Sequence, residues 1–105
     1  MTLTHVPDGS RYGRVIADES HRVLRFEEKN GIAEPAWINA GIYAIRRDAI
    51  EAIPAGRAVS LERDVLPEWV SRGVVFGVPG GRFIDIGTPE SFAAAEEFFR
   101  DASPI

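Results

Sequence analysis

Three clusters in this chain combine residue types suited to phosphates and hydroxyl-rich ligands. The first is Phe26-Glu27-Glu28-Lys29, immediately before the turn signal Asn30-Gly31. A carboxylate accepts hydrogen bonds from sugar hydroxyls, and a lysine meets a phosphate as a compact charge. The same residues also suit a plain solvated strand end. The second is Ile38-Asn39-Ala40-Gly41, inside the most apolar stretch. Glycine weakens a strand unless something approaches its backbone, and a buried amide must find hydrogen-bond partners. A hydroxylated ligand answers both needs, and so does a β-bulge whose backbone satisfies Asn39. The third is Phe83-Ile84-Asp85-Ile86-Gly87-Thr88-Pro89. Open α/β sheets bind ligands at the carboxyl ends of their strands, and Mg²⁺ takes one or two carboxylates with phosphate oxygens and water. Asp85 equally suits a turn or the start of a helix.

Other polar residues carry less. Glu62 and Asp64 fit the positive end of a helix dipole. His5 and His21 lack metal-ligand spacing, and Tyr12, Trp37 and Tyr43 fit sheet packing. No nucleophile elbow, HExxH or Gly-rich phosphate loop occurs in the sequence. Eleven of the twelve basic residues are arginine, and the single lysine is Lys29.

The elements that must position these residues follow from periodicity and punctuation. Thr2–Val6 reads as a strand closed by Pro7-Asp8-Gly9-Ser10. Strands over 12–17 and 22–28 form a hairpin around the polar bend 18–21. The run 36–45 is almost continuously apolar and predicts a strand buried on both faces. A short helix follows over 46–53, stopped by Pro54. Ser60 N-caps the next helix, with Leu61, Val65 and Trp69 on one face, a kink or break at Pro67 and a stop at Gly73. Strands are expected over 74–78 and 82–86, around Pro79-Gly80-Gly81. Thr88 caps the last helix, with Pro89 at its first position and Glu90 in its first turn. Phe92, Ala95 and Phe99 form its expected inward stripe; Glu96, Glu97 and Arg100 face solvent. This order predicts an α/β layered fold in one domain over 1–105.

Composition bounds the function. A length of 105 residues suits one small domain. The net charge of −4 makes a poor general binder of nucleic acid or anionic membranes. With no cysteine there is no thiolate nucleophile and no cysteine-held metal. No apolar run approaches the roughly 20 residues of a membrane span. The first residues lack the pattern of a signal peptide, so a cytoplasmic chain is expected.

Five short motifs run in order along the chain: Ser-Arg-Tyr-Gly (10–13), Phe-Glu-Glu-Lys (26–29), Ile-Asn-Ala-Gly-Ile-Tyr (38–43), Ser-Leu-Glu-Arg-Asp (60–64) and Phe-Ile-Asp-Ile-Gly-Thr-Pro (83–89). In this order they resemble the C-terminal half of sugar-phosphate nucleotidyltransferases. The nearest pattern is the branch holding the mannose-1-phosphate and heptose-1-phosphate guanylyltransferases.

The resemblance implies a partial Rossmann-like mixed sheet with flanking helices. It implies transfer of a nucleotidyl group from a nucleoside triphosphate to a sugar 1-phosphate, with Mg²⁺ and release of pyrophosphate. By the same resemblance Glu28 binds sugar hydroxyls, Lys29 binds the sugar phosphate, and Asn39 and Gly41 line the sugar pocket. Asp85 matches one of two metal-holding aspartates, so Lys29 and Asp85 are the expected catalytic residues. The resemblance leans to GTP.

The family's Gly-rich signature and second metal aspartate belong to its N-terminal, nucleotide-binding half and do not occur in these residues. The expectation is an acceptor-side half, inactive or nearly so alone, that works with an N-terminal half supplied in cis or in trans. The rival expectation is a non-catalytic remnant or assembly module that keeps the fold. Either way an uncovered apolar sheet edge or face favours pairing, as a homodimer or with the complementing half.

Overall fold

The computed structural model describes residues 1–100. Its organising strand is β1 (Thr2–Val6), the centre of a three-stranded mixed sheet. On one side β4 (Ala36–Asn39) runs antiparallel, pairing Leu3 with Asn39 and Val6 with Ala36. On the other, the two-residue β5 (Val78–Pro79) runs parallel. A second sheet is the hairpin of β2 (Arg14–Ala17) and β3 (Val23–Glu27). Its bend is held by Asp18, whose Oδ1 accepts the N–H groups of Ser20 at 2.9 Å and Arg22 at 3.0 Å. The two sheets meet where Val23 N–H donates to Val75 O at 2.8 Å and Gly77 N–H to His21 O at 2.7 Å.

Leu3, Val15, Val23, Val70 and Val75 form the core, with Met1, Phe26 and Trp69 packed at its margin. Thr4 is the buried polar residue, and its hydroxyl donates to Gly81 O at 3.1 Å. Gly9 lets the first turn press against β4, because a Cβ there would stand 2.6 Å from the Ala36 Cβ. Gly9→Ala is therefore expected to destabilise the chain by about 1–3 kcal/mol through overpacking, read as a lower urea midpoint at unchanged slope.

The helices follow their caps. Helix α1 spans Arg47–Glu51. Ser60 Oγ accepts Arg63 N–H at 3.2 Å, and Asp64 Oδ2 accepts Ser60 N–H at 2.8 Å. This reciprocal cap opens a π-helical turn, Leu61–Val65, which passes into α2 (Leu66–Ser71). The expected break at Pro67 takes this form, since proline is tolerated only in a first helical turn. Gly73, at φ +71°, ends α2: its N–H donates to Val70 O, and Val74 N–H donates to Trp69 O. Thr88 and Ser91 cap α3 (Pro89–Arg100) mutually, each side chain accepting the other's N–H at 3.1 Å.

Four expected elements differ. The strand predicted over 36–45 stops at Asn39, because Gly41 at φ +79° turns the chain and donates its N–H to Asn39 Oδ1. Nor is it buried on both faces: Ala36 and Ile38 are buried, while Trp37 between them is 41% exposed. Residues 82–86 form no strand, and 74–78 contribute one bridge at Phe76 and the first residue of β5. The glycine pair and Pro79, which cannot donate to a ladder, leave that return unpaired. The stripe of α3 does not face a core either. Phe92 and Phe99 are each 67% exposed, and α3 has no extensive contact with another element.

Candidate functional site

The end of the hairpin, the end of β4 and the π-turn with α2 form the walls of an open cleft of about 770 Å³. This volume suits a small metabolite, since ligand sites run from about 300 to 1,000 Å³. Tyr12 and Gly13 enter from the turn before β2 and Arg14 from its first residue, Phe26 from β3 and Glu28 from just past its end, Asn39 from β4, and Glu62, Arg63 and Leu66 from the helical side. Gly13 permits the tight approach of β2 to β3, because a Cβ there would lie 3.2 Å from Glu27 O.

Glu28 and Asn39, one from each of two sequence clusters expected to bind the sugar, both line this cavity. Lys29, Gly41 and Asp85 are not among its lining residues. Lys29 follows Glu28 just past the end of β3 and is exposed. Gly41 closes the turn after β4 and holds Asn39 Oδ1 at 2.8 Å. Asp85 lies in the irregular segment before α3, where its Oδ1 accepts Gly87 N–H at 2.9 Å. The described residues hold no cluster of three or more His, Asp or Glu that could bind a metal on its own. Asp85 therefore offers a lone carboxylate, one oxygen of which already accepts the Gly87 N–H. No helix among the described residues is long and apolar enough to cross a membrane.

The charges of the cavity are not equivalent. Glu27 is paired with Arg25 at 2.9 Å, and Arg14 with Glu34. Glu28 and Glu62 have no cation partner among the described residues. Two lining carboxylates without ion-pair partners, together with the Asn39 amide, suit a ligand bearing several hydroxyls.

Sequence reading missed Glu62, taken as a dipole-complementing charge, and Tyr43, taken as packing. The Tyr43 hydroxyl accepts from Asn39 Nδ2 and lies 3.4 Å from Glu62 Oε1. Burial raises the Tyr43 phenol above its ordinary range; the Asn39 hydrogen bond pulls it down, and the Glu62 charge pushes it up again. The folded chain thus keeps this proton to higher pH than the unfolded chain does. Its contribution to stability is present below the unfolded value of 10.0 and is lost as pH rises through the folded one. Urea midpoints measured across that range should fall with pH, and Tyr43→Phe should flatten the fall.

A family profile described as nucleotidyl transferase matches residues 1–102. The chain is 40% identical over 95 residues to the mannose-1-phosphate guanylyltransferase of Mycobacterium tuberculosis, covering 88% of this chain and 26% of that protein. It is 35% identical over 82 residues to the UTP–glucose-1-phosphate uridylyltransferase of Synechocystis sp., covering 74% of this chain and 21% of that one. Among solved structures, HddC from Yersinia pseudotuberculosis, crystallised with GMP-PN, matches with a TM-score of 0.76 at 34% identity. That match covers 94% of this chain and 43% of HddC, and it carries the expected Rossmann-like mixed sheet with flanking helices. The chain spans about a quarter of the curated relatives it matches and less than half of HddC.

Proposed function

The chain belongs to the nucleotidyl transferase family, and we propose that it supplies the acceptor side of a sugar-phosphate nucleotidyltransferase. One observation carries this reading above the others. Glu28, just past the end of β3, and Asn39, the last residue of β4, share one cavity with Glu62, and neither carboxylate has an ion-pair partner among the described residues.

In this reading Glu28 and Asn39 take the hydroxyls of the sugar, and Gly41 keeps Asn39 in place. Lys29, beside Glu28, neutralises and orients the sugar phosphate. A sugar-phosphate oxygen attacks the α-phosphorus of the nucleoside triphosphate in line. The bond from that phosphorus to the bridging oxygen breaks, and pyrophosphate leaves. No protein nucleophile is required, so catalysis rests on positioning and charge neutralisation. Asp85 is the residue of this chain that would hold Mg²⁺, whose contribution when bound is to offset phosphate charge. Relatives named for guanylyl and for uridylyl transfer both match, which supports a reading in which the base is chosen by the N-terminal half.

The exposed apolar face of α3 supports a chain that works against a partner surface. We assign that surface to an N-terminal, nucleotide-binding half of the same fold. The test is pyrophosphate release from GTP and mannose 1-phosphate. This chain alone should give none, and adding the N-terminal half of a family member as a separate polypeptide should restore release. No release with the complement, together with no sugar-phosphate binding, would mark the chain as a non-catalytic module.

A further inference from the structure

Asn39 is held by a relay in which Tyr43 has no role in the reading above and Glu62 enters that reading only as a lining carboxylate. Gly41 N–H donates to Asn39 Oδ1 at 2.8 Å. Asn39 Nδ2 donates to the Tyr43 oxygen. The Tyr43 hydroxyl donates to Glu62 Oε1 at 3.4 Å. Each link runs in one sense only. A backbone N–H can only donate, so it must face Oδ1. An ionised carboxylate can only accept, so the phenol must give it the proton. The phenol oxygen is then left to accept from Nδ2.

An asparagine without such partners presents its oxygen and nitrogen almost interchangeably, because the two ends of the amide are nearly isosteric. Here one orientation satisfies all three links, and a flipped amide breaks two of them. Asn39 keeps one Nδ2 hydrogen and one Oδ1 lone pair for a ligand. The relay also ties the β4 side of the cavity to its helical wall, since Tyr43 follows β4 and Glu62 sits in the π-turn.

We propose that Tyr43 and Glu62 are positioning residues for the acceptor sugar, locking the Asn39 amide so that the cavity offers its donor and acceptor to a hexose 1-phosphate in one fixed order. This deepens the acceptor-site reading and rests on it for the identity of the ligand. The raised affinity of Tyr43 for its proton fits a phenol that donates to a carboxylate throughout the neutral range.

Two readouts test it. The first needs no ligand. In the ¹⁵N-labelled 105-residue chain, the Asn39 side-chain amide should give two well-separated proton resonances. Tyr43→Phe and Glu62→Ala should shift them and bring them together. Glu62→Gln, which keeps an acceptor oxygen, should leave them near their wild-type positions. Backbone spectra show whether each variant is folded, and the contrast of Gln with Ala at one site survives a general loss of stability.

The second readout is titration with mannose 1-phosphate and, separately, inorganic phosphate. Tyr43→Phe and Glu62→Ala should weaken the sugar phosphate about tenfold, the worth of one hydrogen bond. Glu62→Gln should stay within about twofold, and inorganic phosphate should be unaffected throughout. Unchanged Asn39 resonances in Tyr43→Phe and Glu62→Ala overturn the relay, as does an equal loss for sugar phosphate and phosphate. A wild-type chain that fails to bind mannose 1-phosphate overturns the sugar role, and the ligand-free spectra then show whether the relay itself holds.

Discussion

Replacing Lys29 with alanine is expected to weaken mannose 1-phosphate binding about 10- to 100-fold, the loss of one charge-assisted hydrogen bond worth about 1.5–3 kcal/mol. Lys29 is the one lysine in a chain whose other eleven basic residues are arginine. It stands exposed just past the end of β3, next in sequence to a cavity carboxylate, with no ion-pair partner among the described residues. A free ammonium there costs little to bring to a phosphate. Lys29→Arg should fall between wild type and alanine, because a planar guanidinium presents its donors in a different geometry. The loss should shrink at high salt, as for any exposed charge pair. Mannose without its phosphate should bind wild type and Lys29→Ala alike. Calorimetric titration of the three proteins checks this, and equal affinity for the sugar phosphate would remove Lys29 from the site.

The double variant Phe92→Ser/Phe99→Ser should lower association with an N-terminal half by two or more orders of magnitude, because burying each ring is worth about 1.5–3 kcal/mol. Both rings are 67% exposed, so the chain's own melting temperature should barely move. That separation of association from stability identifies a docking surface. Alone and concentrated, the wild-type chain should self-associate through such surface, and the double variant should not. Sedimentation velocity of each protein, with and without the N-terminal half, reads both effects. An unaltered association constant would place the partner elsewhere.

Local chemistry was legible in the sequence, and distant chemistry was not. The hairpin, the Ser60 and Thr88 caps, the stop at Gly73 and the break at Pro67 each depend on a few neighbouring residues. Their side-chain and backbone partners lie within about a turn of the chain, so spacing alone reveals them. The strand predicted over 36–45 failed because an apolar run does not say where a glycine will turn. Asn39 and Gly41, singled out for their polarity and freedom, are the residues that end it. The stripe of α3 was read correctly as apolar but given the wrong surroundings, since only a neighbouring element decides whether a stripe is covered. Glu28 and Asn39 were legible as polar exceptions at strand ends. Glu62 and Tyr43 were not, because Glu62 has an ordinary place in a first helical turn and Tyr43 an ordinary place after a strand. Their meaning arises only from the hydrogen bonds among Asn39, Tyr43 and Glu62.

The account turns on whether the space between hairpin, β4 and π-turn receives the sugar of a hexose 1-phosphate. A ¹H–¹⁵N titration of the chain with mannose 1-phosphate, up to millimolar ligand, asks this directly. Saturable shifts should gather at Glu28, Lys29, Asn39, Gly41 and Glu62, with the Asn39 side-chain amide among the largest, and Glu28→Gln should weaken them. A smaller cavity of about 360 Å³ between α1 and α2 provides the internal contrast, and Arg57 and Arg72, which line it, should stay silent. Shifts confined to that second cavity, or none at saturating ligand, would contradict the acceptor-site assignment.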